Sequence, residues 1–193
     1  MAILDVSKIL MHDFYYGHLS PIYKDNFKLL YTDTDSFIFK INTHDVYKDI
    51  KESIHKYDTS DYPEINDYGM PRVNKKVIGL MKDECNGSII TEFASVRSKV
   101  YSFLVQGKDE TKKLKGVKKH ALRRRITFKD YKDCLFNHTQ KYTTMQTIKS
   151  YKHQIFSSRL NKLALSPYDE KRFICEDGVS TYARGHYKIP SSS

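Results

Sequence analysis

Apolar residues recur at helical spacing from the start of the chain. Ile3, Val6, Leu10 and Phe14 stand at i, i+3, i+7 and i+11, which predicts a helix over residues 3–16 with one apolar face, running on towards Gly17 or Pro21. Two short apolar runs follow, Phe27-Lys28-Leu29-Leu30 and Phe37-Ile38-Phe39-Lys40-Ile41, with a polar hexapeptide between them. They predict a hairpin. Residues 56–75 are polar and punctuated by Pro63, Gly69 and Pro71, which predicts an exposed loop. Residues 77–81, 88–93 and 100–105 are strand candidates, the first two separated by a turn at Asn86-Gly87, and they predict an antiparallel meander.

The pattern shifts near Gly107. Beyond it come a dense basic run, then Thr127 and Asp130 at capping-box spacing ahead of Phe128, Tyr131, Leu135 and Phe136, which predict a helix of about three turns. Past Gln140 the pattern turns to strands, with a hairpin turn at Glu176-Asp177-Gly178 and a frayed end at 191–193. The whole reads as α+β: an antiparallel sheet with flanking helices over 1–107, followed by a smaller mixed region over 108–193. No internal repeat or low-complexity segment interrupts it.

Composition adds a partner class. With 193 residues, 39 % of them hydrophobic and 13 % aromatic, the chain has material for one ordinary core or two small lobes. Lysine plus arginine outnumber aspartate plus glutamate 33 to 23, giving +10 and a pI near 9.3. Such a balance points to a polyanion, and to nucleic acid over membrane, because neither an amphipathic basic helix nor an apolar span is visible. Eight of the cations fall in one run: Lys112, Lys113, Lys115, Lys118, Lys119, Arg123, Arg124 and Arg125. The run reads equally as a phosphate grip, a solvated face or a nuclear-import signal. Cys85, Cys134 and Cys175 are widely spaced with no C-x-x-C, so neither a disulfide framework nor a zinc site is expected, and a reducing nuclear or cytoplasmic setting fits.

The hexapeptide Tyr31-Thr32-Asp33-Thr34-Asp35-Ser36 carries the candidate chemistry. Two carboxylates one residue apart at a hairpin tip form a hard-oxygen claw for Mg²⁺ or Mn²⁺. Turn preference alone also explains Asp-Thr-Asp at such a place, with Tyr31 as a packed aromatic and Ser36 satisfying turn amides. A calcium loop fits poorly, because Phe37 and Ile38 stand where it needs Asp or Asn and then Gly. Nucleotide-sugar glycosyltransferases use a D-x-D metal site too, behind a fold of alternating strands and helices. Downstream, Lys99 and Tyr101 are two apart on a predicted strand, so an ammonium and a phenol share one face, able to meet a phosphate and a sugar. An edge strand with a snorkelling lysine gives the same pattern.

The hexapeptide resembles motif C of family B DNA polymerases. Ser7-Lys8-Ile9-Leu10-Met11, then Gly79-Leu80-Met81-Lys82-Asp83-Glu84, and Glu92-Phe93 leading into Arg97-Ser98-Lys99-Val100-Tyr101 are similar, in order, to the protein-primed subgroup, in particular the enzymes of Polinton-type transposons and related viruses. The resemblance implies a palm-like sheet followed by a thumb-like region, with Lys113-Leu114-Lys115-Gly116-Val117 at the passage between them. It implies Asp35 as principal metal ligand, Asp33 as auxiliary carboxylate, and Tyr31, Thr34 and Ser36 as the rest of the motif. It implies Lys99 and Tyr101 at the primer terminus and the template duplex, while the charge of the basic run makes Lys115, Lys118, Lys119 and Arg123 the further expected nucleic-acid contacts. Expected partners are primer-template DNA, a deoxynucleoside triphosphate and a terminal protein as primer. The family's other palm carboxylate, beside a Ser-Leu-Tyr-Pro-like string, its fingers motif and its exonuclease carboxylates are not among these residues. The chain is therefore expected to be a carboxy-terminal polymerase portion, inactive without an upstream portion. The rival expectation is a non-catalytic nucleic-acid-binding module.

Overall fold

In the computed structural model, which describes residues 2–168, 172–183 and 185–190, the opening apolar spacing forms a helix of mixed geometry. Helix α1 (Ala2–His12) passes into a π-helical segment (Asp13–Leu19) and then α2 (Ser20–Tyr23), with no break at Gly17 or Pro21. Pro21 stands at the start of α2, where a missing N–H costs nothing. Lys24, at φ 49°, ends the run. Burial begins at the end of α1, with Met11 at 6 % exposed; of the four residues on the predicted face, Phe14 is 9 % exposed, whereas Ile3, Val6 and Leu10 are 86 %, 64 % and 40 % exposed. The predicted apolar face is thus buried at its last member alone. The predicted end at 191–193 lies outside the described residues.

Strands β1 (Phe27–Asp33) and β2 (Ser36–Ile41) form the expected antiparallel hairpin. Its Phe27, Phe37, Phe39 and Ile41 pack on Phe14, Leu19 and Tyr23, so the helical segment covers one face of the hairpin. Helix α3 (Val46–Glu52) follows, its amino end held by the Asp45 carboxylate, which accepts from the N–H groups of Tyr47 and Lys48, each at 3.0 Å.

Residues 56–75 do not form an exposed loop. Tyr62 and Met70, 2 % and 3 % exposed, pack with Tyr47 in a second small core. A loop without regular structure is buried here because side chains satisfy its backbone. Asn66 bonds the carbonyls of Pro63 and Met70 and the Met70 N–H, Thr59 Oγ1 donates to Pro71, and Asn74 donates to Ile54 and Tyr57. Residues 77–80 are likewise turns and not a strand, with Gly79 at φ 88°. Only Met81–Lys82 is extended, as β4, and it pairs in parallel with β3 (Tyr57–Asp58). The predicted meander is therefore displaced by one strand. It consists of β5 (Ile90–Arg97), β6 (Val100–Val105) and β7 (Thr111–Leu114), in that order, with β6 and β7 antiparallel.

The chain divides into two compact units, residues 1–91 with 105–107 and residues 92–104 with 108–193. Strand residues 92–104 thus group with the later part of the chain. Ala94 and Val100 share one core with Leu114, with Leu122 of α4 (Lys119–Arg125), with Phe128, Tyr131 and Cys134 of α5 (Phe128–Phe136), and with Ala164 and Leu165. Thr127 and Asp130 make the predicted capping box. The second unit also holds a long antiparallel hairpin, β8 (Lys141–Tyr151) with β9 (Gln154–Leu165), and a short one, β10 (Arg172–Ile174) with β11 (Thr181–Ala183), around the expected turn at 176–178. The fold is α+β, with small, mainly antiparallel sheets among the described residues. All three cysteines are free, and no described helix is long and apolar enough to cross a membrane.

Candidate metal and nucleic-acid sites

The hexapeptide ends β1, makes a two-residue turn at Thr34-Asp35 and begins β2. Thr34 adopts φ 54°, and the Asp35 N–H donates to the Asp33 carbonyl at 2.6 Å. Ser36 Oγ donates to the same carbonyl at 3.2 Å, and Thr34 Oγ1 donates to Asp33 Oδ1 at 3.3 Å. Ser36 thus serves the turn, as its residue type alone allowed.

A bulge between Leu29 and Tyr31 decides where the motif points. Before it, Phe27 and Leu29 oppose Ile41 and Phe39; after it, Tyr31 opposes Ile38 and Asp33 opposes Ser36. Ile38 lies between Phe37 and Phe39, so alternation turns it away from the aromatic cluster, and its cross-strand partner shares that face. Unbroken alternation would have carried Tyr31 and Asp33 to the side of Phe27 and Phe39. The bulge re-aims them, a function bulges serve beside active sites. Asp33 is half-buried and Asp35 is exposed at the tip.

Two carboxylates so placed fit one side of a Mg²⁺ or Mn²⁺ shell. Near-octahedral Mg²⁺ needs further oxygens from phosphate, water or another carboxylate. Among the described residues no group of three or more His, Cys, Asp or Glu side chains is gathered to hold a metal. Asp33 and Asp35 by themselves do not complete such a shell.

Lys99 does not lie on a strand beside Tyr101. It occupies the turn before β6 at φ 60°, and β6 begins at Val100. The two are still brought near other cations. The Lys99 carbonyl accepts from the Lys115 N–H at 3.1 Å, and Tyr101 opposes Lys113 across β6 and β7. Val100 and Ser102 face the core, at 2 % and 0 % exposed, so Tyr101 and Phe103 occupy the other face. There Phe93, Tyr101 and Phe103 make a row of half-buried rings, with centroids 6.0 and 6.3 Å apart. A basic turn beside an aromatic row is suited to contact sugar and phosphate on one side and a base on the other.

The basic run separates into different roles. Lys112 faces the core: its ammonium reaches Glu110 at 2.5 Å and the Ile126 carbonyl at 2.6 Å, with its side chain 8 % exposed. It holds the chain together and cannot grip DNA. Helix α4 then sorts the rest by phase. Lys118, Ala121, Arg124 and Arg125 fall on the side facing β8, where with His120, Met145, Gln146 and Arg159 they line a cleft of ≈ 600 Å³. Lys119 and Arg123 are exposed outside that lining.

No family model, curated protein or solved structure matches the chain. The sequence named Arg124 and Arg125 only as members of the basic run, and gave no role to His120 or Arg159. Helical spacing at 118, 121, 124 and 125 could have selected the arginines within the run. Arg159 has no local signal; the register of β8 and β9, which sets it opposite Gln146, brings it there.

Proposed function

We propose that the chain is the carboxy-terminal portion of a DNA-directed DNA polymerase, in which the first unit contributes a palm-like hairpin with motif C and the second a thumb-like region. The observation that carries the reading is the β1–β2 turn: a bulge aims Asp33 away from the aromatic core while Asp35 stands exposed at the tip. The reaction is template-directed addition of a deoxynucleotide to a primer 3′-hydroxyl. Asp35 is the principal ligand and Asp33 the auxiliary one for Mg²⁺ or Mn²⁺. Bound metals stabilise the charge that develops on the phosphoryl oxygens. Tyr31, on the face of Asp33, packs beside the site. Lys99, Lys115 and Tyr101 position the primer strand, the cations meeting phosphate and the ring meeting sugar. The partners are primer-template DNA, a deoxynucleoside triphosphate and a terminal protein as primer.

The test is primer extension by the chain joined to a polypeptide carrying the motifs that these residues lack. The joined protein extends a labelled primer, Asp35→Asn abolishes extension and Asp33→Asn reduces it. The 193-residue chain alone extends nothing at any metal concentration. Robust synthesis by the Asp35→Asn protein would defeat the assignment. A second reading, a nucleic-acid-binding module without catalysis, is favoured by one observation: the cationic cleft and aromatic row lie in a unit with its own core. Failure of the joined protein to synthesise, with DNA binding intact, would select it.

A further inference from the structure

The cleft between α4 and the β8–β9 hairpin gathers four permanent cations, Lys118, Arg124, Arg125 and Arg159, with His120 beside them. No carboxylate lines it, and none of the four is ion-paired to a described residue. Elsewhere in the same unit cations have partners: Lys112 with Glu110, Lys132 with Glu92, and Lys141 with Asp130. Like charges brought together repel, and a concave wall between them concentrates the field on whatever anion enters. Arg124, Arg125 and Arg159 present planar forks that bind phosphate oxygens in pairs. Thr144 and Gln146 add hydroxyl and amide groups, and Ala121 and Met145 an apolar floor.

Size narrows the occupant. At ≈ 600 Å³ the cleft falls within the range of about 300–1,000 Å³ that encloses small ligands. A duplex, whose major groove alone is about 12 Å wide, is too broad to be enclosed by a cleft of this volume, whereas a single sugar-phosphate strand is not.

We infer that this cleft is a phosphate seat that takes consecutive phosphates of a single nucleic-acid strand, with sugar or base against Met145. Lys118, Arg124, Arg125 and Arg159 hold the phosphates. The seat does not depend on the polymerase reading, and stands equally for a chain that makes no DNA.

The experiment is fluorescence anisotropy of a labelled oligothymidylate with the full chain at fixed salt. Two double variants remove the same charge: Arg124→Ala with Arg159→Ala inside the cleft, and Lys129→Ala with Lys149→Ala outside it. All four side chains are exposed, so both variants are expected to keep the parent's thermal midpoint, which is measured alongside. The inside pair loses at least about tenfold in affinity, the scale of one charge-assisted contact, and the outside pair less than about twofold. Inorganic tripolyphosphate, which shares the chemistry without being a strand, displaces the oligonucleotide only in large excess. Equal losses in the two variants would reduce the seat to diffuse charge and overturn it. Tripolyphosphate binding as tightly as the oligonucleotide would assign the cleft to free polyphosphates and overturn the strand. Primer extension, which tests the polymerase reading, does not enter either measurement.

Discussion

Asp58 shows how much work one residue does in the loop that follows α3. It is 8 % exposed, and its carboxylate accepts from the Ser60 N–H and the Lys76 N–H, each at 3.0 Å. The Ser60 hydroxyl, the Ser60 N–H and the Lys76 N–H together hold its carboxyl at about 2, below the usual 3.8. A carboxyl depressed by folding stabilises the folded state fully above its unfolded value, and that contribution is lost as pH falls from about 5 towards 2. Asp58→Asn should therefore lower the urea midpoint at pH 7 and flatten its fall between pH 5 and 2, so that parent and variant converge at the acid end. Parallel pH profiles would show that these bonds carry no linkage. None of this was legible in the sequence. Pro63, Gly69 and Pro71 signalled turns correctly, but Asn66, Asn74, Thr59 and Asp58 only reveal themselves as backbone partners once the loop has closed on Tyr62 and Met70.

Among elements, the hairpin, the capped α5 and the turn at 176–178 were legible because each is specified locally, by alternation, a cap or a turn triplet. Besides the loop at 56–75, three further misreadings depend on distant partners. Residues 77–80 have strand composition but no strand beside them, and Lys99 sits at the turn that lets β6 meet β5. Lys112 reads as one of eight surface cations until β7 pairs with β6 and turns it inward. There it joins Glu110, whose other oxygen accepts from the Phe128 N–H at 2.6 Å, so one ion pair ties β7 to the α4–α5 junction. Lys112→Ala leaves Glu110 and the Ile126 carbonyl without that partner. It should cost about 2–3 kcal/mol, below the 3–5 of a fully buried pair because Glu110 is partly exposed. Thr127→Ala, which removes only the cap, should cost about 1 kcal/mol. Urea denaturation separates the two. A Lys112→Ala cost no larger than that of Thr127→Ala would return this lysine to the surface.

For the molecule as a whole, the candidate metal ligands and the cationic cleft belong to different compact units, so chemistry and grip should separate. The charge of +10 points to a polyanion but not to which cations would hold it. That choice follows from the phase of α4 and the register of β8–β9, neither of which composition encodes. Each phosphate neutralised contributes a log–log salt slope of about −0.7 on a single strand, so four cleft cations give roughly −3. Raising salt fourfold should then weaken oligothymidylate binding by between about tenfold and a hundredfold. Removing Arg124 and Arg159 should flatten the slope by about 1.4, whereas Asp33→Asn and Asp35→Asn, which remove negative charge from the hairpin tip, should leave the slope unchanged. Titration of the parent and these variants at four salt concentrations reads all of this at once. A slope that changes as much on neutralising the hairpin carboxylates as on removing the two arginines would mean that the strand is held by net charge, and would dissolve the proposed division between the unit with the candidate metal ligands and the unit with the cationic cleft.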